Sequence, residues 1–446
     1  MADTKCFDGV ADVFSLDYEG RGVARVHGKT VFIKGALPTE KVSFRVLREK
    51  KQFSEAETVE VLKESVERVR PACGYYETCG GCSLQHVSPT AQVALKQRIL
   101  EEQLERIGRV KPEQILPPIY GSAWHYRDRA RLSVSVDKKG RLKMGFQAKK
   151  TNEVVDIETC QVLPKHISDV LPMVKLLLQT LSDGGAAVRF VEFFNSRALV
   201  VLNICFIKKP SGYSLKQIET WFDKISGGVK QVWQVWQVWF QYGREPSTAL
   251  YPKDLPELKY GLPEFSIEMP YQPGDFTQIN ADLNAVMISR ALRLLDIQPN
   301  DRVADLFCGL GNFSLPMAKS GASVTGIEGL DSLVLRAKQN ALRNSCVKYV
   351  SFEVADLFET DEQTVASWGV FDKMLLDPPR SGAYAVVKSL HTPYLPKKIV
   401  YVSCNPSTFA RDAEVLVNKG YNFKSAGIMN MFAQTSHVES IGVFEL

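Results

Sequence analysis

The sequence predicts an α/β protein in three parts: a small OB-like β-barrel, a mixed α+β centre and a C-terminal doubly wound, Rossmann-like sheet. Three observations carry this. From about residue 285 onward, apolar strand-like runs alternate with segments of helical period, the pattern of a parallel sheet covered on both faces. Residues 8–62 instead read as five short strands punctuated by Gly20, Gly22, Gly28 and Gly35. The chain, at 446 residues, is also too long for a single core. These patterns divide it at 1–66, 67–284 and 285–446.

In the first part, Val23 to Ile33 is nearly alternating around a glycine turn, and Glu57 to Leu62 alternates again. Small barrels of this kind present a strand face to nucleic acid. A cysteine-rich turn segment follows at 71–86. Helical periodicity then runs from Pro89 to Ile107, with Ala94, Leu95, Ile99, Leu100 and Leu104 on one side. Residues 121–265 are strand-rich, with helix-like stretches near 164–182 and 213–225. Within them Gln-Val-Trp occurs three times in succession at 231–239, a period that matches neither strand nor helix. It reads as a strand lengthened or looped by tandem duplication, with an aromatic base-stacking platform as the alternative.

The net charge of +5 is modest, so contact with a polyanion should be local. It is concentrated: residues 121–150 hold nine Lys or Arg against two Asp, and 41–51 hold five against one Glu. Either stretch alone could be a solvated face; together, beside alternating Arg-Leu-Ser-Val-Ser-Val, they favour strands that touch phosphates. No apolar run approaches a membrane span, and the first residues lack the apolar core of a secretory leader. A cytoplasmic protein is expected, with its nine cysteines reduced. An odd number excludes a complete disulfide framework, so clustered cysteines point to metal ligation or nucleophilic chemistry.

In the third part the predicted strands are Arg302–Phe307, Ser323–Glu328, Tyr349–Ala355, Lys373–Leu376 and Lys398–Ser403, with helices from Phe313 and over Asp331–Asn344. Asp305-Leu-Phe-Cys-Gly-Leu-Gly-Asn-Phe lies where the first strand meets its helix, and Gly309 and Gly311 allow close approach of a ligand. The lack of Gly-x-Gly-x-x-Gly argues against a pyrophosphate. Glu328 closes the second strand, where a carboxylate can accept both ribose hydroxyls, and Asp356 closes the third, facing an adenine amine. The three strand ends together describe an S-adenosylmethionine pocket.

The fourth strand ends in Asp377-Pro-Pro-Arg-Ser-Gly and the fifth in Ser403-Cys404-Asn405-Pro406, so both face that pocket. An Asp-Pro-Pro loop alone suits amino-group methylation; Cys404 suggests another reaction. C5 of uracil is too poor a nucleophile to attack a sulfonium methyl until a thiolate adds to C6. A base must then remove the C5 proton, and Glu439 in Ser-His-Val-Glu is placed for it. Asp377 would meet the uracil edge; Arg380 would lower the thiol pKa or hold phosphate. A non-catalytic RNA-binding protein is the rival from another class.

Cys73-x5-Cys79-Gly-Gly-Cys82 gathers three thiols, and Cys160 is the best fourth. Spacing alone leaves a metal ion and an iron–sulfur cluster open.

Asp377-Pro-Pro-Arg-Ser-Gly, Val400-Tyr-Val-Ser-Cys-Asn-Pro-Ser-Thr, His437-Val-Glu and Gln272-Pro-Gly-Asp-Phe-Thr-Gln-Ile-Asn resemble the RNA uracil-C5 methyltransferases over nearly the whole chain. The resemblance implies that Gln278, Phe307, Asn312, Glu328, Asp356 and Asp377 line the S-adenosylmethionine site, with Cys404 as nucleophile and Glu439 as base. The family usually has Asn where Asp356 stands; either side chain can hydrogen-bond adenine. Gly20-Arg-Gly-Val-Ala and Gly28-Lys-Thr-Val-Phe-Ile-Lys-Gly-Ala-Leu-Pro resemble a TRAM barrel. The subgroup with that barrel and this cysteine pattern carries a [4Fe-4S] cluster, here on Cys73, Cys79, Cys82 and Cys160, with a structural or RNA-positioning role. It implies a monomer acting on a uridine of 23S rRNA, free or in a large-subunit assembly intermediate; a tRNA uridine or a different 23S uridine is the alternative. Cys6, Cys205, Cys308 and Cys346 are read as structural.

Overall fold

The structure is a computed structural model that describes residues 8–228, 235–254 and 256–446. Strands β1 (Asp8–Leu16), β2 (Gly22–Val26), β3 (Lys29–Lys34), β4 (Lys41–Glu49) and β5 (Phe53–Lys63) close into a barrel in the order β1-β2-β3-β5-β4. Its alternation buries Val13, Ala24, Ile33, Val42, Phe44 and Ala56 in a small core and leaves the other face to solvent.

The cysteine-rich turns lead into α1 (Pro89–Gln103). Ser88 caps it, accepting from the Ala91 amide at 3.2 Å, and Pro89 occupies the first turn, where a missing N–H costs nothing. The helix ends in a π turn at Leu104–Gly108. Although α1 lies early in the chain, Ile99, Leu100 and Leu104 pack in one cluster with Phe409 and Ala410 of the C-terminal part. Gly108 is required there: a Cβ would come 2.4 Å from the Ala410 carbonyl oxygen. Gly108→Ala is expected to destabilise by about 1–3 kcal/mol, because backbone rather than a flexible side chain must yield. A denaturation midpoint unchanged from the parent would contradict this packing.

A second sheet joins β7 (Arg129–Val136), β8 (Leu142–Gly145), β9 (Val188–Asn195), β10 (Leu199–Phe206), β11 (Val235–Tyr242) and β12 (Thr248–Tyr251) in the order β12-β11-β10-β9-β7-β8; the short β6 (Gln114–Ile115) belongs elsewhere. Leu132, Phe193, Leu202 and Val238 face α2 (Lys165–Asp183) and α3 (Gly212–Gly228). Phe194, Leu199 and Val201 face the opposite way, into the C-terminal core. The start of the Gln-Val-Trp repeat lies outside the described residues, but its end is in β11. A step of three along a strand reverses the face, so Trp236 packs on Phe193 in one core and Trp239 enters the other. The repeat therefore suits a strand covered on both sides, and neither tryptophan forms an open stacking platform.

After the hairpin β13 (Lys259–Leu262) and β14 (Ile267–Pro270) comes α4 (Ala281–Leu295), capped by Asn280. The third sheet contains β15 (Arg302–Leu306), β16 (Ser323–Glu328), β17 (Val350–Val354), β18 (Lys373–Leu376), β19 (Lys398–Ser403), β20 (Asn422–Met429) and β21 (Glu439–Glu445). Its order is β17-β16-β15-β18-β19-β21-β20-β6, with β15 to β19 parallel and β21 antiparallel to both neighbours. Val400 and Val402 fall in one core and Ile399 and Tyr401 in the other, which is why the strands read as unbroken apolar runs. The order reverses between β15 and β18, opening a cleft at the carboxyl ends of the strands. Among the described residues no helix is long and apolar enough to cross a membrane.

Candidate active site

Cys404 follows the last residue of β19 and precedes the helix Pro406–Asn418. Asn405 caps that helix, accepting from the Ser407 amide at 3.1 Å, while its own amide donates to the Arg380 carbonyl at 3.0 Å. Buried Asp412 accepts from the Tyr401 hydroxyl and from the Ala383 amide, both at 2.7 Å. The Asp377–Ala383 loop and the cysteine loop are thus one hydrogen-bonded unit. Glu439 opens β21, and the β19–β21 register ends at the Ser403–Ser440 pair, so Cys404 and Glu439 are the next residues beyond that pair on either side. Glu439 is only 2% exposed.

This corner holds its protons tightly. Burial, then Glu439 and Asp377, push the Cys404 thiol up to about 12; Arg380 pulls the other way and is outweighed. The sequence-based expectation of a thiol lowered by Arg380 therefore has the direction of that one contribution but not of the sum. Burial lifts Asp377 to about 7, and burial with Asp377 lifts Glu439 well above the usual carboxylate range. His437 is pushed down to about 4 by burial and by Arg380, Lys96 and Arg127, so its ring is neutral and accepts from Arg380 Nη2 at 3.0 Å. Alkylation of Cys404 in the free protein should accordingly be slow at pH 7 and rise about tenfold per pH unit through pH 9, where an ordinary thiol near 8.5 levels off. Peptide-resolved mass spectrometry measures it; a plateau near pH 8.5 would contradict the assigned environment.

The neighbouring turn is shaped for a ligand. Phe307, Gly309 and Gly311 have φ of 64°, 56° and 93°, and a Cβ on Gly311 would sit 2.8 Å from Leu315. Glu328 accepts from the amides of Gly309, Gly329 and Leu330 at 3.1, 2.8 and 3.2 Å, which fixes its carboxylate at the rim. Asn312 exchanges two hydrogen bonds with Asn284, at 2.9 and 3.0 Å, and accepts from the Tyr260 hydroxyl at 2.8 Å. Asp356 accepts from the Phe358 amide at 2.9 Å. Asp305, buried beneath the turn, accepts from Ser314 with one oxygen while the other has no hydrogen-bond partner among the described residues. Burial raises its carboxyl to about 7.

All eight residues singled out in the sequence, Gln278, Phe307, Asn312, Glu328, Asp356, Asp377, Cys404 and Glu439, line one cleft of about 690 Å³. Tyr260, Phe432 and His437 also line this cleft and Asn284 bonds to Asn312, roles that the motifs do not assign. Of these only His437 carried a signal, inside His-Val-Glu; the others reach the site from packing of distant segments.

Cys73, Cys79, Cys82 and Cys160 line a separate cavity of about 230 Å³. The Cys79 amide donates to the Tyr75 carbonyl at 2.8 Å, and the Gly81 amide donates to the Cys79 sulfur at 3.4 Å. Gly80 runs so close to Gln147 that a Cβ would lie 2.7 Å from its carbonyl oxygen. Burial raises the Cys79 and Cys160 thiols and takes Cys82 to about 12. Among the described residues no three His, Cys, Asp or Glu side chains converge on a point that could hold one metal ion. Four thiols lining one cavity are a donor set that suits zinc or iron. Cys205, Cys308 and Cys346 are buried elsewhere, and Cys6 lies outside the described residues.

Comparison with known proteins agrees with this geometry. The family described as tRNA (Uracil-5-)-methyltransferase matches residues 264–445, and the TRAM domain matches 11–59. The chain is 63% identical over 437 residues to the 23S rRNA (uracil(1939)-C(5))-methyltransferase RlmD of Neisseria lactamica, covering 98% of this chain and 95% of that one. The protein of the same name from Chromobacterium violaceum is 49% identical, covering 98% and 84%. Among solved structures, the tRNA (uracil-54, C5)-methyltransferase of Pyrococcus abyssi in complex with S-adenosyl-L-homocysteine has the same fold, with a TM-score of 0.70 at 22% identity over 98% of this chain and 100% of that one. The barrel is thus a TRAM domain, the doubly wound sheet is that of an S-adenosylmethionine-dependent methyltransferase, and the chain belongs to the RlmD family of 23S rRNA (uracil-C5)-methyltransferases.

Proposed function

We propose that the chain methylates C5 of one uridine of 23S rRNA, the position numbered 1939 in the names of its relatives. The observation that carries the chemistry is that Cys404 and Glu439, each next to the Ser403–Ser440 pair, line the same cleft as the glycine turn. Gln278, Phe307, Asn312, Glu328, Asp356 and Asp377 hold S-adenosylmethionine, Glu328 at the ribose and Asp356 at the adenine. That cofactor supplies an electrophilic methyl group. The Cys404 sulfur adds to C6 of the uracil as its proton leaves for Asp377, which titrates near 7. C5 becomes enolate-like and takes the methyl. Glu439, as its carboxylate, then removes the C5 proton; the C–H electrons form the C5–C6 double bond and the sulfur leaves C6 as thiolate, to take back its proton from Asp377.

RNA reaches the cleft past the barrel. Arg21, Lys34 and Arg68 of the N-terminal part share a groove with Arg131, Lys149 and Lys150 of the basic stretch. That supports RNA as the partner; our reading is of a cytoplasmic monomer that acts on 23S rRNA, free or within an assembling large subunit. The domains follow as 1–66, 67–284 and 285–446, with α1 and β6 crossing over to pack on the last. Cys73, Cys79, Cys82 and Cys160 hold a [4Fe-4S] cluster of structural role, because none of the steps above is a redox step. Protein purified without oxygen should be brown; colourless protein with stoichiometric zinc would overturn that assignment.

The deciding experiment maps methylated nucleotides by mass spectrometry in 23S rRNA from cells with and without this protein. Loss of 5-methyluridine at 1939 alone is expected. An unchanged 23S map with loss in tRNA would move the activity to tRNA.

A further inference from the structure

Segment 430–437 runs between β20 and Glu439, and two of its residues, Phe432 and His437, line the catalytic cleft with their rings 5.6 Å apart. The segment is held from outside the C-terminal domain, in a way the chemistry above does not use. Gln434 is 1% exposed and has φ of 67°, a left-handed conformation that a residue with a Cβ adopts only when its surroundings enforce it. They do so completely. Its amide donates to Gln92 Oε1 at 2.8 Å, and its side-chain oxygen accepts from Gln92 Nε2 at 3.0 Å. Its carbonyl accepts from the amides of Ser83 and Leu84 at 2.9 and 3.0 Å.

Gln92 is itself fully buried, and its amide also donates to the Leu84 and Val87 carbonyls. Further contacts flank this latch. The Ser436 amide donates to Ser83 Oγ at 2.9 Å, and the Tyr126 hydroxyl donates to the Ala433 carbonyl at 2.7 Å. Lys96, buried one helical turn beyond Gln92, donates to Asn430 Oδ1 at 2.7 Å and to the Phe432 carbonyl at 2.9 Å. Gln92 and Lys96 both lie on α1, outside the residues matched by the methyltransferase family. Ser83 directly follows the cysteine Cys82.

We propose that Gln92 and Gln434 are positioning residues for Glu439: the latch from α1 and the cysteine loop fixes segment 430–437, and through it the register at which Glu439 and His437 face Cys404. This rests on Glu439 being the base. Displacing Glu439 should slow proton removal from C5 more than attack by Cys404, so a loosened latch should leave the covalent Cys404–RNA species waiting.

Gln434→Gly tests this without strain, because glycine adopts φ of 67° freely and only the side-chain half of the latch is lost. Gln92→Leu removes both halves while keeping an apolar filling. In each variant kcat should fall about tenfold or more, with the KM for S-adenosylmethionine unchanged. The fraction of enzyme trapped as a denaturation-resistant RNA adduct should rise, and amides 430–437 should exchange faster with deuterium. The latch is overturned if both variants keep parental kcat, or if activity, cofactor binding and adduct formation fall together as in a generally weakened fold. Glu439→Gln runs alongside: free turnover by that variant would refute the base, whereas a trapped adduct there with none in the latch variants would refute the latch alone.

Discussion

Cys404→Ala is expected to abolish methylation, lowering turnover by about 10⁴-fold or more, as removal of a nucleophile does when the chemistry passes through it. The cofactor half of the cleft should survive. Glu328, Asn312 and the glycine turn are held by their own backbone and by Asn284 and Tyr260, through hydrogen bonds that do not involve Cys404. Calorimetric binding of S-adenosylhomocysteine should therefore match the parent while methyl incorporation into 23S rRNA disappears. The alanine also fits sterically, since the strand end is set by Asn405 and the Asp412 network rather than by the thiol. Measurable turnover by Cys404→Ala would remove covalent catalysis and favour amino-group methylation by the Asp377-Pro-Pro-Arg loop.

Glu439→Gln should have the second largest effect, and a different signature. Loss of a general base lowers turnover by about 10²–10⁴-fold, yet attack on C6 should persist. Glu439 is one of the two carboxyls that push the Cys404 thiol up, so replacing it with a neutral amide of the same size makes the thiolate easier to form. The methylated base then stays bonded to sulfur, and a stoichiometric protein–RNA adduct should appear on denaturing gels once S-adenosylmethionine is added. Its alkylation profile at Cys404 should also shift to lower pH than the parent's. A variant that turns over freely, with no adduct, would place the base elsewhere.

Much of this site was legible because strand order constrains it. In a doubly wound sheet every parallel strand delivers its carboxyl end to the same edge, so Phe307, Glu328, Asp356, Asp377 and Cys404, each at or just past a strand end, had to share a cleft. The five barrel strands were equally readable, since alternation around glycine turns is a local signal. The Gln-Val-Trp repeat was not: its period makes sense only for a strand buried on both faces, and burial of β11 is decided by what packs against it.

The sequence by itself determined which chemistry-bearing residues stand at the ends of which strands, and through its motifs the family of the chain, because both are written in short-range pattern. Only the tertiary structure decided how those groups behave. Burial of Cys404, and the antiparallel insertion of β21 between β19 and β20 that brings Glu439 beside it, raise a thiol that the sequence-based expectation had lowered. The fold also lets Gln92 meet Gln434 across 342 residues. Burial and contacts of that range are properties of the assembled core, and no window of sequence contains the two partners.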